Sequence, residues 1–289
     1  MVNNFATDLE ERIQSGTAPA VVGLDPRPDA LPKAIAPDDP VVDRIVAFYR
    51  ETLPVLAQHV PVVKPNIAFF ERFGWEGFRG YQETCRLARE AGMLVIGDIK
   101  RGDIGSTAAA YATAHFEWAD ALTLHPYLGS DSIEPFLKPC REAGKAVFVL
   151  VRTSNPSAGE FQARALAEDG DLSDAVADAV HRWGAGTGDP DGYATVGAVV
   201  GATSGDRIAR LRERMPRAWL LLPGVGAQGA AVADVAAAFD TRGRGALVAQ
   251  SRGVMQCFEP AAADWKDRIA TAVAEFAADV HAIAGTTAS

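Results

Sequence analysis

Short apolar runs and amphipathic stretches alternate along this chain at a nearly regular spacing. The apolar runs are Ala20–Leu24, Val60–Val63, Met93–Ile96, Ala121–Leu124, Lys145–Val151, Val196–Gly201, Trp219–Leu222 and Ala246–Ala249. Continuous rather than alternating runs of this length read as parallel strands, because helices cover both faces of such a sheet. Between them lie helical patterns. Val41–Gln58 places Ile45, Phe48, Tyr49 and Leu56 on one side, and a helix over Trp75–Ala91 is stopped by Gly92. Further helices are expected over Ala108–Ala114, Asp131–Ala143, Leu172–Trp183, Asp206–Arg214, Ala230–Phe239 and Ala261–Ala284. Met1–Gly16 is polar and charged, reads as no secretory signal, and is assigned no element. Eight β-α units without a break in composition predict one domain over residues 1–289, an α/β protein of the (β/α)8 TIM-barrel class. A doubly wound open sheet would normally carry a glycine fingerprint after its first strand. Here that turn is G-L-D-P-R, and no GxGxxG or Walker motif opens any helix.

Barrels carry their chemistry at the C-terminal ends of their strands. Those ends supply Asp25, Lys64, Asp98, Lys100, His125, Ser154, Gln228 and Arg252. The densest stretch runs from Met93 to Thr107, M-L-V-I-G-D-I-K-R-G-D-I-G-S-T. On a strand Asp98 and Lys100 point to one side and Arg101 to the other. Gly102 and Gly105 let the chain turn, and Ser106 or Thr107 is placed to cap the next helix. Lys64, Asp98, Lys100 and Asp103 sum to zero charge and could share a dry site, either as a structural ion-pair network or as working groups. An ammonium held among carboxylates stays protonated and can hand over a proton. The loops P-G-V-G-A-Q-G and S-R-G after the last two strands fit phosphate, with Arg252 able to take two oxygens; a surface ion pair is the alternative. Ser154 with Asn155 either caps its loop or faces a ligand. The long polar connection Thr153–Gly170 has the length of a lid. His125, followed by Pro126, reads more as a structural residue.

Composition narrows the partners. A net charge of −9 argues against a nucleic-acid surface. Cys85, Cys140 and Cys257 are odd in number and far apart, as expected of reduced thiols in a cytoplasmic protein. No apolar run reaches the ~18 residues of a membrane span. No HExxH is present, and an ion on Asp98 and Asp103 would meet Lys64 and Lys100, so no metal is expected.

D-I-K-R-G-D-I-G-S-T resembles the signature of the orotidine 5′-phosphate decarboxylase family, which forms UMP in the last step of its de novo synthesis. G-L-D-P-R, V-K-P-N, H-P-Y-L-G, R-T-S-N-P, P-G-V-G-A-Q and S-R-G follow in family order and span the chain. The length, H-P-Y-L-G and the long fifth loop look like the longer bacterial subgroup. The resemblance implies a cofactor-independent decarboxylation of orotidine 5′-phosphate to UMP. By it, Lys100 is the proton donor and Asp98 stands near the departing carboxylate. Lys64 holds Asp98 and Asp103 and reaches the ribose, and Asp25 binds a ribose hydroxyl. Ser154 reads the pyrimidine edge, while Gln228 and Arg252 grip the phosphate. Asp103 and Thr107 reach into the partner's site of a homodimer. Shorter family members place an Arg where this chain has G-V-G-A-Q. Two other readings stay open. A Mg²⁺-dependent sugar-phosphate decarboxylase or aldolase would carry an acidic ligand where Lys64 stands. A non-catalytic nucleotide-binding module would be expected to lack Lys100 or Asp98.

Overall fold

The computed structural model describes residues 4–167, 170–225 and 231–286. Eight strands, β1 (Ala20–Leu24), β2 (Val62–Pro65), β3 (Leu94–Arg101), β4 (Ala121–Leu124), β5 (Ala146–Arg152), β6 (Val196–Val200), β7 (Leu220–Pro223) and β8 (Ala246–Gln250), pair in sequence order. Every pairing is parallel, and β8 returns to β1 to close the barrel. The expected (β/α)8 architecture is therefore the one observed. The apolar runs are continuous because both faces are dry. Inward side chains such as Val21, Val62, Ile96, Phe148, Trp219 and Leu247 fill the barrel. Outward ones such as Val22, Val63, Val95, Leu122, Val147 and Val248 join the layer under the helices.

That outer layer is built from α2 (Val41–Leu56), α3 (Ala68–Glu71), α4 (Gly74–Glu90), α5 (Gly105–Phe116), α6 (Ser130–Glu142), α7 (Gly159–Gln162), α8 (Leu172–Gly184), α9 (Arg207–Arg214), α10 (Arg252–Met255) and α11 (Trp265–Thr286). A 3-10 helix over Val232–Ala238 stands within the α-helix expected at Ala230–Phe239. The closing helix starts at Trp265, four residues later than expected, after the short α10. Among the described residues no helix is long and apolar enough to cross a membrane.

The longest element left unread in the sequence precedes β1; the short helices α3, α7 and α10 also went unread. A helix α1 spans Phe5–Gln14. It is started by a capping box in which Thr7 N–H donates to Asn4 Oδ1 at 3.2 Å and Asn4 N–H to Thr7 Oγ1 at 3.1 Å. Phe5, Ala6 and Leu9 are buried in the same cluster as the barrel interior, and Phe5 meets Phe148 edge-on at 6.0 Å. This helix plugs the end of the barrel opposite the strand C-termini. Its charged face masks the few apolar positions, and the N-F-A-T cap was the available signal.

Two boundary differences bear on the site. β3 continues through the charged stretch to Arg101, and β2 includes Lys64, so the ionisable groups stand on the strands themselves. Helix α5 begins at Gly105 behind Ile104 with no side-chain cap. Ser106 and Thr107 thus lie in its first turn and do not cap it.

Candidate active site

Asp98 is the hub. It lies on β3, its side chain only 6% exposed, and each oxygen faces an ammonium. Lys64 Nζ from β2 donates to Oδ2 at 2.8 Å, and Lys100 Nζ donates to Oδ1. Burial alone would raise the Asp98 pKa, but Lys64 and Lys100 outweigh it and hold the carboxyl well below the usual range. Burial likewise works against the charge on Lys64, yet Asp98 and Asp25 together raise its pKa. Removing the carboxylate would leave a buried ammonium uncompensated, so the pair is costly to break whatever it contributes to stability. Lys100 differs from Lys64 in access. Its side chain is 47% exposed, so the ammonium remains open to a ligand at the barrel mouth.

The expected strand alternation does not by itself place Lys100. Its φ is +47°, in the left-handed region that costs a non-glycine residue energy, and the β3–β4 register shifts between Gly97 and Arg101. The bulge turns Lys100 back over Asp98 and sends Arg101 outward. Arg101 pairs with Glu71 of α3 and stands 5.6 Å over the Tyr111 ring of α5.

Across the mouth lies a cleft of about 160 Å³ lined by Asp25, Lys64, Gly224, Val225, Ser251 and Arg252, among others. Asp25 Oδ2 accepts from Ser251 Oγ at 2.8 Å, while its buried Oδ1 has no hydrogen-bond partner. A buried acceptor left open in this way suits a ligand hydroxyl. Arg252 begins α10 at the far wall and is exposed. Gln228 lies outside the described residues. Ser154 follows β5 and packs so tightly on Gly201 that a Cβ there would come within 2.9 Å of the Ser154 backbone N. The first part of the connection that follows is ordered locally. It holds the 3-10 turn Pro156–Ala158 and α7, and Gln162 clasps Thr153 by accepting from its N–H and donating to its Oγ1, both at 2.8 Å.

Comparison with known proteins decides the family. The profile described as Orotidine 5′-phosphate decarboxylase / HUMPS family matches residues 22–263. The chain belongs to this family. It is 42% identical to the orotidine 5′-phosphate decarboxylase of Rhodopirellula baltica over 93% of this chain and 96% of that one. It is 44% identical to the Deinococcus radiodurans orotidine 5′-phosphate decarboxylase over 88% and 90% of the two chains. The solved structure of Leishmania donovani OMP decarboxylase superimposes with a TM-score of 0.78 at 34% identity, covering 96% of this chain and 97% of that one.

In this orotidine 5′-phosphate decarboxylase family member, one expected contact is not made within the chain. Asp103 does not join the Lys64–Asp98 pair; its carboxylate accepts from the Ile104 N–H at 2.8 Å, beyond the strand end. Thr107 is exposed on the first turn of α5. The His125 imidazole fills the space beside Gly102, where a Cβ would come within 2.3 Å of Nε2. Sequence reasoning missed Thr123, which binds Asp98, and Ser251, which orients Asp25. Neither hydroxyl stood out, one inside an apolar strand run and the other beside an arginine that drew attention first.

Proposed function

We propose that the chain decarboxylates orotidine 5′-phosphate to UMP, with Lys100 protonating C6 of the pyrimidine. The observation that carries this reading is the buried Asp98 clasped by Lys64 and Lys100 at the strand ends, beside a cleft holding Asp25 and Arg252. Loss of CO2 leaves an electron pair in the plane of the ring, where the π-system cannot delocalise it. The Lys100 ammonium, fixed by Asp98, stabilises that developing charge and then gives up its proton. Asp98 stays ionised, so it would repel a substrate carboxylate at ~4 Å by ~4 kcal/mol at an effective dielectric constant of about 20. Lys64 keeps Asp98 in place and reaches the ribose, whose hydroxyl meets the open Asp25 oxygen. Ser154 reads the pyrimidine edge. Arg252 and Gln228 grip the phosphate, and that remote binding energy closes the Thr153–Gly170 lid over the base.

The reading extends to the assembly. Ile104, Tyr127 and Leu128, after the neighbouring strands β3 and β4, are 58%, 84% and 43% exposed. An apolar rim of this kind around Asp103 and Thr107 supports a homodimer in which each chain lends these two residues to the other's site. A cytoplasmic location fits the unpaired Cys85, Cys140 and Cys257.

The test is a direct one. Lys100→Ala should abolish the UV-detected loss of orotidylate while UMP still binds, because the phosphate grip lies elsewhere. Turnover within about tenfold of the unmodified protein, a loss of only ~1.4 kcal/mol in transition-state stabilisation, would remove Lys100 from the proton-donor role.

A further inference from the structure

The conformation of Lys100 is unusual for a strand residue, and something must hold it. Its φ of +47° is one of only two positive values at non-glycine positions among the described residues. Such a backbone persists only where its surroundings over-determine it. The surroundings here converge on one side chain. Thr123, fully buried on β4, donates its hydroxyl proton to Asp98 Oδ1 at 2.9 Å. Thr123 Oγ1 in turn accepts the Lys100 backbone N–H at 3.0 Å. A hydroxyl can do both at once, as one donor and two acceptor sites.

We propose that Thr123 is a positioning residue for the decarboxylation, tying the Lys100 backbone and the Asp98 carboxylate to one oxygen so that the ammonium is aimed before substrate arrives. The proposal rests on the assignment of Lys100 as proton donor. Thr123 acts through that residue and through Asp98. Its hydroxyl fixes which Asp98 oxygen faces Lys100, because Oδ1 receives both the hydroxyl proton and the Lys100 ammonium, and Oδ2 receives Lys64. It also gives the Lys100 N–H, displaced by the bulge from regular strand pairing, the acceptor a regular ladder would have supplied. Without it the turn at Lys100 loses its anchor, and the ammonium samples positions away from the reacting carbon. A loss of aim of that kind falls on kcat, since substrate binding depends on groups across the cleft.

Thr123→Val keeps the shape and removes the hydroxyl, whereas Thr123→Ser keeps the hydroxyl. Thr123→Val should lower kcat by about 10- to 100-fold, the range expected for a lost hydrogen bond to a charged group. KM for orotidine 5′-phosphate and the affinity for UMP should stay close to their original values, while the melting temperature falls modestly because the Lys100 N–H and the Asp98 oxygen each lose a buried partner. Thr123→Ser should return kcat to within about threefold. A residue serving only packing would instead show UMP affinity falling together with kcat, and Val outperforming Ser; that result overturns the proposal. If Thr123→Val fails to fold, Ser against Ala decides, since both lack the methyl and differ only in the hydroxyl: Ala about tenfold below Ser supports the role, and equal rates reject it. Lys100→Ala measured in parallel separates the two layers. An active Lys100→Ala variant removes the proton donor and Thr123's role with it. An inactive one beside a Thr123→Val enzyme of unchanged kcat overturns the Thr123 role alone.

Discussion

Asp98 touches two ammoniums and a hydroxyl, and a change at this one carboxylate propagates through all of them. Asp98→Asn keeps the volume but leaves Lys64 buried with its charge uncompensated. The variant should lose turnover and also ~3 kcal/mol of folding stability, read as a shift of the urea midpoint. An inactive variant of unchanged stability would show that the Lys64–Asp98 pair is not the desolvated one the geometry implies. At this scale the sequence was legible wherever a charge stood at a strand end, because a charge in an apolar context must be paired or used. Asp25, Lys64, Asp98 and Lys100 were singled out in that way. Thr123 was not, since a threonine in A-L-T-L looks like any β-branched strand residue, and only the bulge in β3 brings its hydroxyl beneath Lys100.

Strand and helix order could be read from the hydrophobic pattern, but where each element ended could not. β3 runs on through Asp98 and Lys100 because their charges are answered by Lys64 on β2 and the hydroxyl on β4, contacts between strands that no local pattern encodes. The close approach of Gly201, just past β6, to Ser154 has a measurable consequence. Gly201→Ala would drive a methyl into the backbone of Ser154, so it should raise KM and lower kcat together while the barrel stays folded by circular dichroism. Helix α5 carries a pH signature. His115 is buried with Phe78, Tyr81 and Tyr111 around its ring, and its Nδ1 has no hydrogen-bond partner. Burial, aided by nearby Arg101, lowers its pKa from 6.5 to about 4. Its folded value therefore lies below its unfolded one, and the unfolded chain takes up the proton first. Stability is unaffected above about pH 6.5 and falls as pH drops from there to about 4, by on the order of 2 kcal/mol. His115→Phe should shrink the difference in melting temperature between pH 7 and pH 4.5. An unchanged difference would place the acid sensitivity elsewhere.

The molecule as a whole yields two predictions. Both oxygens of Asp98 are already engaged by ammoniums, so activity should survive EDTA unchanged. A Mg²⁺ requirement restored by back-titration would move the chain to the sugar-phosphate branch of barrel enzymes. The second concerns the proposed dimer. Asp103 lies past the strand end and outside its own chain's ion-pair cluster, the position from which it would serve a neighbouring site. If Lys100→Ala and Asp103→Asn proteins exchange subunits, each mixed dimer carries one site with both lesions and one intact. Random pairing makes about half the dimers mixed, so roughly a quarter of the original activity should return. No recovery, with exchange confirmed by native mass spectrometry, would rule out the shared site.

The barrel closes where β1 meets β8, and the hydrogen bond from Ser251 to Asp25 crosses that seam between residues 226 apart in sequence. This sets an order of events on the ribosome. Lys64, Asp98 and Lys100 can meet once the first four strands have emerged, since their contacts are confined to β2, β3 and β4. The cleft side has to wait for β8, which at ~5–20 residues per second follows Asp25 by about 11–45 s. For the part of that interval after β4 has emerged, the nascent chain could hold its ion pairs at an unclosed edge, without the wall that would receive a phosphate. A chain stopped before Ala246 would thus be left with the charged half of the site and no cleft beside it, and the open edges of β1 and β7 would be free to pair with another chain.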